Sequence, residues 1–353
     1  MIGYYAHGHG SGHCNYAQIL ASFLRKEMTV FTDSDFTFQK EVDVVRLPDE
    51  NTNGQEFNRN RYPTPNARHS APIGLSKITR RSHRILGEIL KRDIRLMIVD
   101  VSVEIAMLCR VSSVPYAYVR LQGDRNDFAH LNAFEGATFL LAYFPVSMEL
   151  ENTPGWVRKK TVYLGFISKF IRQNQISPKP SEFLANGKPD LLYITGFGES
   201  RPINFGKLKE QFNIYALGPG SFKYGNNEVI TLGIVPSTRS FIVHANIILA
   251  SCGSNTTSEI LNSGKTFLAI EEHRYYREHI SMANNLFRNG WALPLSKYGS
   301  VEEAVLRYSS VSLNQAPAVE IEKLLDFCTM LSKGKFWSYI AADMENTTNK
   351  NAC

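Results

Sequence analysis

The sequence predicts an α/β fold in which two doubly wound domains face each other across a cleft. Short apolar runs alternate with helical patterns along nearly the whole chain, which is typical of a mostly parallel sheet with helices on both faces. A length of 353 residues suits two domains, at about 150 residues each. A polar, proline-containing stretch separates two such series, so we assign residues 1–168 to an N-terminal domain, 169–189 to a linker and 190–353 to a C-terminal domain.

The N-terminal series begins with a run of strand candidates. They are residues 1–6, 28–32, 42–46, 95–100, 114–119, 137–143 and 161–165. The helical patterns between them are clearest at 14–26, 76–92 and 101–111. Residues 48–75 show no periodicity and are rich in Pro, Asn, Gly and Arg, so we predict a long loop there. Such a loop would lie at the carboxyl edge of the sheet, where ligands bind in open α/β folds.

The C-terminal series repeats this alternation. Its strand candidates are residues 190–195, 213–217, 229–232, 246–251 and 266–270. Helical patterns follow at 301–312, 317–332 and 334–344. We expect that the last helix can pack back on the N-terminal domain.

Composition indicates a globular protein of a reducing compartment. Hydrophobic residues make up 43% of the chain and charged residues 20%, which argues against disorder. The five cysteines are odd in number and show no CxxC spacing, which argues against a disulfide framework or a zinc site. No apolar run approaches the roughly 18 residues of a membrane span, and no signal-like segment precedes the first strand pattern. We expect a cytoplasmic protein and leave membrane association open.

The basic residues are concentrated in one segment. The net charge is +6, and ten arginines and lysines lie between Arg59 and Arg95 against only Glu88 and Asp93. Such a patch could meet nucleic acid, an anionic membrane or a phosphorylated acceptor. Because single-stranded nucleic acid requires interleaved aromatic rings, which are missing here, we expect no nucleic-acid partner. The alternative is the solvated face of a helix at 76–92.

Residues 250–272 predict an anion site. A strand pattern ends in the small polar turn Ser251–Thr257, a helical pattern follows, and a second strand ends in Glu271 and Glu272. A helix that begins with small residues leaves backbone N–H groups free to face an anion. Glu259 and the two later acids could accept hydrogen bonds from sugar hydroxyls. This combination indicates a nucleotide sugar, although an ordinary βαβ unit with a well-capped helix remains the alternative.

The glycine-rich turn His7–His13 follows the first strand pattern and opens the first helix. We predict that His13 projects into the cleft as a general base, since an imidazole titrates near neutral pH. The glycine spacing fits neither a dinucleotide fingerprint nor a P-loop. The histidines lie on a turn rather than one helical turn apart, which disfavours a metal site. A structural turn with incidental histidines remains the alternative.

Several segments together resemble one family. They are the turn GHGSGH, the segments Asp100–Ala106 and Val114–Arg120, the loop Leu191–Gly198, and the run from Ser251 through Gly264-Lys265 to Asn284 and Gly290. The chain is similar over most of its length to the two-domain GT-B glycosyltransferases. The resemblance is closest to family 28, which includes the lipid-linked N-acetylglucosaminyltransferase of peptidoglycan synthesis.

This resemblance implies roles for individual residues. For the donor it implies Gly253, Ser254, Asn255 and Thr256 at the diphosphate, Glu259 at the ribose, Ile234 at the nucleobase, Gly196 and Gly198 near the phosphates, and Glu271 and Glu272 at the sugar. On the acceptor side we place Gly10, Gly12, Arg120, Gln122 and Arg125. The chain departs from the family at Tyr275, Tyr276 and Arg277, near the usual glutamine-containing stretch.

The predicted activity is transfer of a sugar from a nucleoside-diphosphate sugar to an acceptor hydroxyl, with inversion and without a metal or cofactor. His13, or else Asp100 or Asp124, would deprotonate the acceptor. Only the resemblance favours UDP, and the acceptor is open: a polysaccharide, a lipid-linked sugar or a small molecule. The alternatives are a nucleotide-sugar hydrolase like that of pseudaminic acid synthesis, a non-hydrolysing epimerase, and a binding protein without turnover. The basic 59–95 segment is a candidate for peripheral membrane contact.

Overall fold

Two parallel β-sheets organise the chain in a computed structural model, which describes residues 1–8, 11–49, 73–171, 177–196, 203–221 and 229–335. Seven strands form the first sheet in the order β3-β2-β1-β4-β5-β6-β7, and six form the second in the order β10-β9-β8-β11-β12-β13. Every neighbouring pair in both sheets is parallel. The predicted fold class, two doubly wound α/β units, is confirmed.

The strands of the first sheet coincide closely with the predicted runs. They are β1 Ile2–Tyr5, β2 Met28–Thr32, β3 Asp43–Arg46, β4 Leu96–Asp100, β5 Tyr116–Arg120, β6 Phe139–Ala142 and β7 Thr161–Tyr163. All of them except the edge strand β3 are buried along their whole length. Strands covered by helices on both faces have continuous apolar sequences, which is why sequence runs locate them well.

The second sheet contains one strand that the sequence did not reveal. Its strands are β8 Asp190–Ile194, β9 Asn213–Leu217, β10 Ile230–Gly233, β11 Ile247–Ser251, β12 Phe267–Ile270 and β13 Ala292–Pro294. The last of these has three residues and pairs with β12 in the register Phe267 to Ala292. A run that short shows no periodicity, so only its pairing with a neighbour defines it.

Helices fill the connections and cover the faces of the sheets. They are α1 Gly12–Leu24, α2 Ser76–Lys91, α3 Val103–Val111, α4 Phe128–Gly136, α5 Gly155–Lys159, α6 Leu208–Gln211, α7 Arg239–His244, α8 Ser254–Asn262, α9 Glu278–Arg288, α10 Val301–Ser310 and α11 Ile321–Ser332. The pattern at 101–111 begins two residues late because Ser102 caps α3: its hydroxyl accepts a hydrogen bond from the Ile105 amide at 3.3 Å.

The last described helix returns to the first sheet. Leu324, Phe327 and Leu331 of α11 are buried in the same core as β1 and α1. The Phe327 ring lies 6.2 Å from that of Phe139 in β6. The chain therefore passes between the two sheets after β7 and again before α11. The helix predicted at 334–344 falls almost entirely outside the described residues, and the domain limits stay a prediction.

The topology positions a site at the same edge of both sheets. In the first sheet the strand order reverses at β1, which lies between β2 and β4; in the second it reverses at β8, between β9 and β11. Connections on either side of such a reversal run to opposite faces and leave a crevice at the carboxyl ends of the strands. The turn before α1 and the turn before α8 both leave their sheets at this point.

Candidate active site between the two sheets

A cavity of about 520 Å³ lies between the carboxyl edges of the two sheets. The start of α1 contributes Gly12, His13 and Tyr16 from the first half of the molecule. The second half contributes the ends of β8 and β11 and the first turns of α8 and α9. A larger cavity, of about 1050 Å³, lies between α1 and α11 and is lined by none of the predicted site residues.

His13 and Asp100 form a pair on the first half. Nδ1 of His13, in the first turn of α1, lies 3.0 Å from Oδ2 of Asp100, the last residue of β4. The Asp100 side chain is fully buried, and Tyr4 donates a hydrogen bond to its Oδ2 at 2.8 Å. The Tyr143 hydroxyl lies 3.3 Å from that of Tyr4. Because β1 and β4 are neighbours, residues far apart in sequence meet beneath the cavity.

The backbone beside Asp100 is strained. Val101 has φ of 67°, in the left-handed region that a β-branched residue rarely adopts. Tyr118 donates a hydrogen bond from its hydroxyl to the Val101 carbonyl at 2.5 Å and so holds this conformation. Strain of this kind persists only where neighbouring contacts impose it, and it concentrates at functional sites.

Electrostatics favour a protonated imidazole at His13. Burial acts to lower the pKa of His13, but the Asp100 carboxylate, followed by that of Glu278, raises it above the ordinary value. Burial, reinforced by Asp100, raises the pKa of Tyr4 and Tyr143 well above that of a free phenol. These hydroxyls therefore stay neutral donors, and the imidazole gains a proton more readily than a free histidine.

The first turn of α8 faces the cavity from the second half. Gly253 precedes the helix, and the Thr257 amide is the first to bond within it, to the Gly253 carbonyl at 2.9 Å. The helix itself therefore leaves the amides of Ser254, Asn255 and Thr256 unused. All three residues line the cavity. The predicted anion site has this geometry, with the positive end of the helix dipole directed into the cleft.

Some of the remaining predicted donor-side residues line the cavity. Gly196, Ile234 and Glu259 line it, and the Ile234 side chain is 73% exposed. Glu259 accepts a hydrogen bond from the Thr238 hydroxyl at 2.6 Å, and Lys169 Nζ lies 3.2 Å from its other oxygen. Gly198 and the acceptor-side Gly10 lie outside the described residues.

The two acids after β12 do not line the cavity. Glu271 accepts hydrogen bonds from the amide of Ser296, at 3.1 Å, and from its hydroxyl, at 2.5 Å. Glu272 accepts one from Arg274 at 2.6 Å, and it is the arginine that reaches the cavity. Both carboxylates are thus engaged by neighbours in their own half, which a position at a strand end does not reveal.

Most of the predicted acceptor-side residues that the structure describes do not line the cavity. Arg120 is buried and donates to Glu149 at 2.6 and 3.1 Å. The Gln122 side-chain oxygen accepts a hydrogen bond from Asn285 of α9 at 2.8 Å. Arg125 pairs with Glu278 of α9 at 3.0 Å. Gln122 and Arg125 thus join the two halves, and of the described members of this group only Gly12 lines the cavity.

Asp124, a predicted alternative base, also lies apart from the cavity. Its amide donates to the Tyr276 carbonyl at 2.7 Å, and its carboxylate accepts from Asn152 at 3.4 Å. It therefore belongs to the contact between the halves. Asp100 does not line the cavity either: it is buried below His13 and is placed to orient the imidazole rather than to reach a bound molecule.

Sequence reasoning missed several residues of the cavity. The missed charged or imidazole side chains are Lys169, Arg274, Glu278 and His279. Burial, followed by the charge of Arg274, lowers the pKa of His279 to about 4, so this imidazole is neutral at physiological pH. The density of charged residues between β12 and α9 was the available signal.

The basic segment is partly internal. Arg81 is 2% exposed, lies 3.2 Å from Asp33 and donates to the Tyr5 hydroxyl at 2.6 Å. Arg92 pairs with Glu88 and Asp43. The arginines of the 59–68 stretch fall outside the described residues, so the membrane contact remains a prediction. Among the helices that the structure describes, none combines the length and the apolarity that crossing a membrane requires.

No group of three or more His, Cys, Asp or Glu residues is placed to hold a metal ion in the described part of the chain. The acids that line the cavity have arginine, lysine or hydroxyl partners: Glu278 pairs with Arg125, and Glu259 with Lys169 and Thr238.

Solved structures share this architecture. No known family model matches the sequence, and no curated protein matches it. The glycosyltransferase SsfS6 of Streptomyces sp. SF2575, in complex with thymidine diphosphate, has a TM-score of 0.58 at 14% identity, covering 98% of this chain and 95% of its own. UGT2 of Phytolacca americana, complexed with UDP-2-fluoro-glucose and pterostilbene, has a TM-score of 0.54 at 13% identity, covering 99% of this chain and 94% of its own.

MurG of Acinetobacter baumannii, a relative in fold from bacteria, gives a TM-score of 0.52 at 11% identity, with 98% of this chain and 99% of its own covered. All three comparisons span nearly the whole length of both chains. They show that this chain has the fold of the GT-B glycosyltransferases.

Proposed function

We propose that the protein is a glycosyltransferase that moves a sugar from a nucleoside-diphosphate sugar to an acceptor hydroxyl. One observation carries the proposal: His13, whose Nδ1 lies 3.0 Å from the buried Asp100 carboxylate, and the open first turn of α8 line one cavity from opposite halves. A proton acceptor and an anion site on the two walls of one cleft are what such a transfer requires. The shared fold supports the proposal, as do the nucleotides bound by SsfS6 and UGT2.

On the second half, the donor's diphosphate would lie at the first turn of α8. As the anomeric C–O bond breaks, negative charge develops on the leaving phosphate, and amides that already face it stabilise that charge without reorganisation. Lys169 and Arg274 add positive side chains to the same cavity, so the chain's own groups can balance the charge without a metal or cofactor. Glu259 would accept from the ribose, and the exposed Ile234 would contact the base.

On the first half, His13 would act as the general base. Its Nδ1 faces Asp100, so its Nε2 is the nitrogen available to take a proton from the acceptor hydroxyl. Asp100 would fix the imidazole orientation and stabilise the imidazolium that forms. Attack from the His13 wall on a sugar whose leaving group is held on the α8 wall gives inversion at the anomeric carbon. We propose a hexosyl donor carried on UDP.

A panel of UDP-, GDP- and TDP-sugars, incubated with and without hydroxyl acceptors, tests this function. Nucleotide release that depends on an acceptor, with a glycosylated product in the mass spectrum, is the expected result. Release at full rate without acceptor would instead identify a nucleotide-sugar hydrolase in which His13 activates water. Failure to bind any nucleotide, measured by calorimetry, would overturn both.

A further inference from the structure

A built contact joins the two halves beside His13. The turn Tyr275–Arg277 and the start of α9 rest on the loop that follows β5. The Tyr276 carbonyl accepts a hydrogen bond from the Asp124 amide at 2.7 Å. The centre of the Tyr276 ring lies 4.6 Å from the Arg125 guanidinium. Gly123 makes this approach possible, because it has φ of 112° and a Cβ there would lie 2.7 Å from the Tyr276 carbonyl oxygen.

The conformation of that turn directs α9 into the cavity. Tyr276 and Arg277 have φ of 57° and 54°, two consecutive residues other than glycine in the left-handed region. This conformation is unfavourable for residues other than glycine, so the surrounding contacts must impose it. Its effect is to bring Glu278, the first residue of α9, to the wall that His13 also lines.

Glu278 is held by the opposite half. Arg125 Nη2 lies 3.0 Å from Oε2 of Glu278, and the two side chains are 8% and 19% exposed. Arg125 is itself fixed by His130, whose Nε2 lies 3.3 Å from Arg125 Nη1 and whose Nδ1 lies 2.6 Å from Asp127 Oδ2. The carboxylate of Glu278 is therefore a partly desolvated charge in a fixed position.

We propose that Glu278 is a positioning residue for the transfer reaction, one that presents a second carboxylate to His13 from the opposite half of the molecule. Asp100 supplies the first carboxylate from the His13 side. The proposal rests on the function proposed above for its chemical meaning. It adds that the basicity of His13 depends on the contact between the halves, because the Glu278 charge reaches the cavity only through that contact.

The charges around both groups agree with this assignment. Burial raises the pKa of Glu278, while Arg125, His13 and Arg274 act in the opposite direction. For His13, burial acts to lower the pKa, Asp100 and Glu278 raise it, and Arg125 lowers it. Glu259 also lines the cavity from the second half and pairs with Lys169. Of these two carboxylates, Glu278 is the one that raises the pKa of His13.

Titration of His13 by NMR in the full-length, histidine-labelled protein tests the proposal without any substrate. The His13 signal is assigned by its loss in His13→Gln, and its midpoint is compared between the wild type and Glu278→Gln. We expect the midpoint to fall by on the order of 0.5 pH unit or more in the variant, because a negative charge is removed from a poorly solvated site. Glu278→Asp should give an intermediate midpoint.

Arg288→Gln is the matched control. Arg288 is also on α9 and also bridges the halves, through the carbonyls of Ser147 and Glu149 at 2.8 and 2.9 Å, but it does not line the cavity. Its variant should leave the His13 midpoint unchanged. An unchanged midpoint in Glu278→Gln, or an equal fall in Arg288→Gln, would overturn the proposal.

The acid limb of the kcat/KM profile should move with the midpoint. If no variant or wild-type protein turns over any nucleotide sugar, the transfer function fails, while the histidine titration still decides whether Glu278 acts on His13.

Discussion

The two halves of the molecule share one topology and differ in the residues at the carboxyl ends of their strands. In the first half, the end of β4 carries Asp100, which lies with Tyr4 and Tyr143 in a buried hydrogen-bonded cluster under His13. In the second half, the equivalent edge, after β11, carries a turn of small residues and the open start of α8. The sheet order places both edges at one cleft. The residues at these strand ends make one wall suited to a proton and the other to an anion.

Replacing His13 by alanine should separate the two walls most clearly. We expect kcat to fall by about 10²–10⁴, because general base catalysis is lost, while the affinity for UDP stays nearly intact. Steady-state kinetics and calorimetry measure the two quantities. His7→Ala is a suitable control, since its ring lies 5.9 Å from that of His13 and the substitution should have a much smaller effect. If UDP affinity collapsed in His13→Ala, the division of labour between the halves would be wrong.

Arg120→Met should act on the stability of the first half alone. Burial acts to raise the pKa of Glu149, but Arg120 holds it below the ordinary value, so Glu149 would be left charged and unpaired. Breaking such a pair costs about 3–5 kcal/mol, and Arg120→Met/Glu149→Gln should recover much of it. Because the folded pKa is lowered, this stabilisation is present at neutral pH and is lost as the pH falls through that value.

Urea denaturation measures the stability effect of Arg120→Met, and UDP affinity should not change. If Arg120→Met instead had normal stability and a raised KM for the acceptor, Arg120 would be an acceptor-binding residue, as the sequence predicted.

Glu259→Gln, on the second half, should have the opposite effect to His13→Ala: it should change UDP affinity rather than kcat. We expect UDP binding to weaken about tenfold, since a charged acceptor of a ribose hydrogen bond is lost, with little change in kcat. Glu271→Gln is the control: its carboxylate binds Ser296 and does not line the cavity, so affinity should be unchanged. Equal losses in both variants would place the donor differently.

The pH dependence of kcat/KM should report the titration of His13 and is the smallest of these effects. Neutral His13 is the active form, and its pKa is raised, so activity should increase with pH through a midpoint above 6.5. In Asp100→Asn, the main charge that raises the pKa of His13 is removed, while burial still lowers that pKa. The midpoint should therefore fall. If the midpoint were the same in Asp100→Asn as in the wild type, the acid limb of the kcat/KM profile would belong to a group other than His13.

The sequence could predict the strands because burial on both faces leaves apolar runs, as in β4. It could predict the opening of α8 because small polar residues at a helix start have a local signature. It missed β13, which pairing with β12 alone defines. Partners from distant segments escaped prediction as well: Asp100 meets His13 only because β1 and β4 are adjacent. Arg120 lies at the end of β5, next to β4, yet its guanidinium donates to Glu149, which comes from a later turn.

The return of α11 to the first sheet has a consequence for biosynthesis. The first half completes its last strand, β7, at residue 163, but its core also needs the apolar face of α11, which ends at residue 332. At about 5–20 residues per second, the ribosome takes roughly 10–30 s to cover that interval. Throughout it, the emerging first half presents an uncovered apolar groove along α1, and the whole second half is made meanwhile. Final folding of the half synthesised first therefore waits until α11, the last helix that the structure describes, has left the ribosome.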